Sequence, residues 1–325
     1  MPALSCLLLL FAADLTPTGD PSIIHPGEKL EQLWNDGEFT EGVASAKDGT
    51  IYFSDIAIAA KNPGRIMKFD PKTKQTTVHV ADSGQSNGLF FGPDGRLFAV
   101  CGANVGLRAL VEITPDKQVQ VLVDRIGGKR FNAPNDVAVH PKGWVYFSDP
   151  HYVGKEPLEL DHMSVYRYDP ATKTVERATN DITKPNGVIV SPDGKTLYVA
   201  ETDNGRTGVD PEDAPLKPAR YTLNAFPIGV DGNLGPKRVL HDFGKEAGID
   251  GMKVDTQGRL YAAVRIPSRH GIAVFTPEGK EVAFIPTEPL PTNCNFGRGA
   301  DANTLYVTAG SGLYRIKVKG TGYHP

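Results

Sequence analysis

GWVYFSDP, residues 143–150, decides the fold because the chain repeats nearly the same phrase six times. GTIYFSDI begins at Gly49, GRLFAVCG at Gly95, KTLYVAET at Lys195, GRLYAAVR at Gly258 and NTLYVTAG at Asn303. With Ile51, Leu97, Val145, Leu197, Leu260 and Leu305 taken as equivalent, successive copies lie 46, 48, 52, 63 and 45 residues apart. A period in that range marks a repeat architecture, in which each copy is one supersecondary unit.

Working outward from the phrase, a short apolar strand and a turn precede each copy, as in GPDG at Gly92, SPDG at Ser191 and DTQG at Asp255. Asp-Gly and Gly supply the positive φ that a hairpin needs. A third strand follows each time, for example RIMKF from Arg65, SVYRY from Ser164 and IAVF from Ile272, and five copies carry a fourth, such as VQVLV from Val119. Four antiparallel strands per unit without helical periodicity describe a propeller blade. The prediction is therefore all-β, a single six-bladed β-propeller over residues 25–320. Its sixth unit ends one strand short, and KLEQLW at residues 29–34 would complete it, pairing the two ends of the chain and leaving no exposed edge. The long fourth interval reads as a loop on blade four, around DNGRTGVDPEDAPLKPAR.

The 325 residues carry a formal net charge of −3 and 40% hydrophobic residues, enough for a large core. So balanced a charge gives no basic face for nucleic acid and no polybasic patch for an anionic membrane, which leaves small molecules as partners. Residues 1–20 read as a leader whose apolar run, 3–13, is too short for stable membrane insertion. The run matches a secretory signal that would export the protein to the periplasm or medium; the alternative is a disordered start to a cytoplasmic protein. Cys6, Cys101 and Cys294 make no disulfide framework, and the last two read as small buried hydrophobes. Gly84-Gln85-Ser86-Asn87-Gly88 spells a nucleophile-elbow motif, but that motif needs a helix where this chain continues as a strand.

The first strand of a propeller blade lines the central channel. Counting back ten or eleven residues from Ile51 and its five equivalents gives Glu41, Asn87, Asn135, Asn186, Asp250 and one of Asn293, Cys294 or Asn295. Pro134 and Pro185, just before two of these asparagines, fix φ at the strand mouth. Glu41, Asn135, Asn186 and Asp250 then offer only oxygen ligands with two formal charges. That set suits a hard divalent cation, Ca²⁺ before Mg²⁺ or Mn²⁺. Taken singly, each Asn-Gly or Asn-Asp is an ordinary turn signal, and the common register is what argues for a site.

At these residues the chain resembles the gluconolactonase and regucalcin (senescence marker protein) family, including luciferin-regenerating enzyme-like proteins. FTEGVASAKDGTIYFSDI, RFNAPNDVAVHPKGWVYFSDP, KPNGVIVSPDGKTLYVAET and IDGMKVDTQGRLYAA carry the resemblance over nearly the whole chain after the leader. It implies hydrolysis of a sugar lactone such as gluconolactone to the aldonic acid. The implied metal is Ca²⁺, with Mg²⁺, Mn²⁺ or Zn²⁺ as substitutes, on Glu41, Asn135, Asn186 and Asp250. Asp250 serves also as the catalytic base. Animal members place an arginine two residues before the asparagine matching Asn135, where this chain has Ala133. Arg130 lies nearby, and with Asn135, Asn87 and His151 it completes the expected substrate contacts. Two other readings fit the same ring: an organophosphate or ester hydrolase, and a non-catalytic calcium- or ligand-binding propeller.

Overall fold

In the computed structural model, which describes residues 15–59 and 63–325, six antiparallel four-stranded sheets stand around one axis. From the axis outward, blade one runs Thr40–Ser45, Ile51–Asp55, Arg65–Asp70 and Gln75–Val80. Blade two runs Ser86–Phe91, Leu97–Cys101, Ala109–Ile113 and Val119–Val123, and blade three Val137–Val139, Val145–Asp149, Ser164–Asp169 and Thr174–Thr179. Blade four runs Pro185–Val190, Thr196–Asp203, Arg220–Pro227 and Arg238–Asp242. Blade five runs Ile249–Val254, Leu260–Ile266, Arg269–Phe275 and Glu281–Pro286. The inner strands touch in cyclic order, the sixth, Pro291–Phe296, meeting the first.

Blade six closes the ring as the sequence predicts. Thr304–Ala309 and Gly312–Lys317 follow its inner strand, and Glu31–Trp34 pairs antiparallel with Gly312–Lys317 as the outermost strand. Glu31 sits opposite Arg315 and accepts from its Nε at 2.7 Å. Unravelling either terminus must therefore open a blade.

Each phrase read from the sequence is the second strand of a blade. Its alternating side chains turn to the two neighbouring interfaces: in blade one Ile51 and Phe53 pack with Tyr306 and Leu313 of blade six, while Tyr52 between them meets the Phe91 ring of blade two with centroids 5.5 Å apart. Phe131, Phe147 and Tyr166 form an aromatic cluster with ring centroids 5.0–5.6 Å apart in blade three. Cys101 and Cys294 are buried free thiols.

Two features were not foreseen. Thr18–Gly19 adds a fifth strand to the edge of blade five, and Ile23 and Ile24 bury beside it. A two-stranded hairpin, Arg125–Ile126 with Lys129–Arg130, follows blade two. The apolar run of the leader and Cys6 lie outside the described residues. Among the described residues no helix is long and apolar enough to cross a membrane. The insertion between Asp203 and Arg220 is a loop on blade four, as expected.

Candidate active site

At one mouth of the channel lies a cavity of about 590 Å³. Glu41, Asn87, Asn135, Asn186 and Asp250 all line it, so five of the six positions obtained by counting converge on one space. The sixth is Asn293, which pairs with Thr308 at the register where Glu41 pairs with Ser54. Asn293 does not reach the cavity; blade six contributes Leu290 instead.

Register shifts explain why these side chains point along the axis. The ladder between first and second strands slips at Glu41/Ala44, Ser86/Leu89, Pro185/Val188 and Ile249/Met252, each time at the polar residue. Such a bulge bends the strand and re-aims its side chain. It also brings neighbouring inner strands very close. Gly88 donates to Asn135 O at 2.8 Å, and a Cβ on Gly88 would lie 2.7 Å from the Asp136 Cα, which is why glycine follows Asn87.

Acids at the end of the second strand brace the entry to three of these polar positions. Asp55 accepts the N–H of Glu38 at 2.7 Å and of Phe39 at 3.2 Å, and Asp149 those of Asn132 at 2.9 Å and Ala133 at 2.8 Å. Glu201 takes the Thr183 N–H at 2.8 Å. These carboxylates hold the two or three residues that lead into Glu41, Asn135 and Asn186, which gives the SD and ET endings of the repeated phrase a job.

Glu41 and Asp250 are each only 3% exposed. Burial, and then the Asp250 carboxylate, push Glu41 well above the usual carboxylate range, against the pull of the Gly42 N–H, which donates to Glu41 Oε2 at 3.0 Å. Burial raises Asp250 too, opposed by the Arg265 guanidinium, whose Nη1 is ion-paired to Asp250 Oδ2. The Asn186 amide group lies against Asp250 and the Tyr152 hydroxyl. Its Oδ1 is buried with no hydrogen-bond partner among the described residues. A buried carbonyl oxygen without a donor calls for one or for a cation. Two buried carboxylates and a bare amide oxygen, with Asn135 alongside, fit a hard divalent ion. No cluster of three His, Cys, Asp or Glu side chains exists among the described residues, so any such site must draw on its asparagines.

Two expected substrate contacts are elsewhere. His151 is fully buried and does not line the cavity, its Nδ1 accepting the Gly208 N–H at 3.1 Å from the blade-four loop, while Tyr152 and Val153 stand on the wall. Arg130 stands on the hairpin after blade two, donating to Leu107 O, and does not line the cavity. The elbow-like Ser86 lies on a strand, 1% exposed, with its Oγ 2.9 Å from that of Ser54.

Arg265 was missed by counting at one repeat position only. Ile56, Gly102, Thr202 and Arg265 lie five residues after Ile51, Leu97, Leu197 and Leu260 and all line the cavity, so the same arithmetic applied there finds it. Asp136 and Lys253 were missed as well. Asp136, 2% exposed, accepts the Val188 N–H at 3.0 Å with Oδ2, and its Oδ1 and the Lys253 Nζ are both buried without hydrogen-bond partners among the described residues.

The family described as SMP-30/Gluconolactonase/LRE-like region matches residues 39–311. A gluconolactonase of Zymomonas mobilis is 30% identical, the match covering 93% of this chain and 84% of that one. A solved gluconolactonase from Xanthomonas campestris superposes with a TM-score of 0.77 at 26% identity, over 93% of this chain and 95% of the other. A calcium-binding regucalcin from Agrobacterium tumefaciens superposes with a TM-score of 0.68 over 91% and 96% of the two chains; at 20% identity that likeness speaks for the fold alone.

Proposed function

We propose that this chain, which belongs to the SMP-30/gluconolactonase/LRE-like family, is a lactone hydrolase that opens its substrate with a divalent ion held by Glu41, Asn135, Asn186 and Asp250. The observation that carries the reading is the pair of buried carboxylates beside the unpartnered Asn186 oxygen at the floor of a cavity large enough for a small molecule. Ca²⁺ is the first choice, with Mg²⁺, Mn²⁺ or Zn²⁺ as substitutes, because every ligand is an oxygen.

When bound, the ion supplies positive charge that polarises the lactone carbonyl and stabilises the oxyanion of the tetrahedral state. Asp250 accepts the proton of the attacking water. Arg265 holds its Oδ2, which orients the carboxylate and leaves Oδ1 for the reaction. As the ring C–O bond breaks, the same proton passes to the departing ring oxygen, and the product is the open hydroxy acid. Glu41 contributes the second charge of the floor, while the Asn135 and Asn186 amides orient the ester group. A lactone is electrophilic enough for a base this well compensated.

The test is hydrolysis of δ-gluconolactone, corrected for spontaneous opening, by metal-stripped protein refilled with each of the four ions. Turnover that returns with an ion and is absent in Asp250→Asn is expected. Equal turnover by stripped and refilled protein would remove the ion, and an active Asp250→Asn would remove the base.

A further inference from the structure

The walls above this floor are of a different character. Phe39, Ile56, Ile58, Val153, Tyr221 and Leu290 line them, contributed by blades one, three, four and six. Ile58 and Val153 stand at the mouth with 56% and 57% of their surface in water. Large apolar side chains gathered at the rim of a concave site mark a surface that a ligand covers.

Of the polar side chains of the same walls, Gln85, Asn104, Thr202, Tyr152 and Asn204 are already engaged, which leaves the Asn87 amide to meet a ligand. Gln85 binds Ala57 through both ends of its amide, at 3.2 Å each, and donates to Asn104 O at 3.3 Å. Asn104 Nδ2 donates to Ile58 O at 3.1 Å, and the Thr202 hydroxyl to Ile249 O at 2.5 Å. The Tyr152 hydroxyl donates to Thr202 O at 2.9 Å, and Asn204 Oδ1 accepts from Lys184 Nζ at 2.6 Å. A polyhydroxylated ring seated here would lose water from its hydroxyls and recover few hydrogen bonds, and a site that does not pair a hydroxyl gains nothing from it. The cavity volume, about 590 Å³, falls among those of drug-sized ligands and exceeds the needs of one six-membered ring.

From the lactone-hydrolase reading above, on which this rests, we infer that the preferred substrate is a lactone carrying an apolar substituent, its ester group on the polar floor and its chain against Ile58, Val153 and Leu290. The selectivity comes from the walls and the chemistry from the floor.

The experiment compares kcat/KM for δ-hexalactone, δ-octalactone, δ-decalactone and δ-gluconolactone with the ion-loaded protein. In parallel, calorimetry follows binding of the δ-lactams that carry the same alkyl chains, which resist hydrolysis. Burying a methylene is worth about fourfold, so kcat/KM and lactam affinity should both rise at least about tenfold from the methyl to the pentyl compound. Gluconolactone should fall below δ-decalactone. Ile58→Asn and Val153→Asn, both at exposed positions, should flatten the rise. A flat series with δ-gluconolactone fastest would overturn the inference and leave the reaction standing. If no lactone turns over with any ion, the reaction reading fails, and the lactam series still decides whether the walls select apolar chains: a flat affinity refutes it.

Discussion

Substituting alanine for Gly88 tests how the ring of polar residues is assembled. The new Cβ would lie 2.7 Å from the Asp136 Cα, 2.7 Å from Asp136 Oδ1 and 3.0 Å from Asn135 O. Carbon atoms pack best at about 3.5–4.0 Å, so the inner strands of blades two and three must part by roughly 1 Å. Overpacking of this kind costs about 1–3 kcal/mol, and backbone on both sides puts it at the upper end. The alanine also restricts the unfolded chain, which offsets about 0.4–1 kcal/mol, so a net loss of about 2 kcal/mol is expected. In a domain of this size that lowers Tm by roughly 3 °C. The displacement falls on Asn87 and Asn135, and metal sites tolerate only about 0.2 Å, so metal affinity should drop at least about tenfold. Gly235→Ala is the control, since its Cβ would meet nothing closer than the Pro227 side chain at 3.4 Å. Thermal melts with and without Ca²⁺, together with metal titration, read both effects. If Gly88→Ala matches the control in Tm and metal affinity, close approach of the bulged strands is not what shapes the site.

Arg265→Met removes the cation that faces the buried Asp250. With 29% of the Arg265 side chain exposed, the metal-free protein should lose about 2 kcal/mol, less than the roughly 3–5 of a fully buried pair, and Ca²⁺ should restore most of it; melts that do not respond to metal would contradict this. His324 accepts no proton easily in the fold, burial pushing it down to about 4, with Arg298 adding to the effect. The unfolded chain binds that proton below about pH 6.5, so this contribution is present above 6.5 and is lost as pH falls towards 4. Between pH 7 and 5 the wild type should therefore lose about 2 kcal/mol more than His324→Gln in denaturant unfolding, and parallel pH curves would refute the assignment. Val105 is β-branched, 67% exposed and held at φ +62° in the loop after blade two's second strand. Val105→Gly should raise stability by about 1 kcal/mol, seen as a higher urea midpoint, and a lower midpoint would show that the side chain is needed there.

The six-bladed ring and the five residues that share its mouth were legible along the chain. Blade geometry is local: turns closed by Gly, period-two burial and a bulge at a near-constant offset recur in five of the six repeats or more, so counting from Ile51 or Leu260 arrives at Glu41 or Asp250 without knowing where any neighbour lies. The closing strand at Glu31–Trp34 was legible for a related reason, since an unpaired edge in blade six demanded a partner and one amphipathic segment remained. Loop side chains obey no such period. Whether His151 or Tyr152 faces the cavity is settled by Gly208, 57 residues further on, which claims the imidazole with its N–H. Arg265 gains its role only because the fifth blade sets it against Asp250, and the apolar walls exist only because side chains from four blades meet across the mouth. Strand register is written residue by residue in the sequence, whereas which side chain a loop presents depends on contacts from another blade, and those come into being only when the ring has closed.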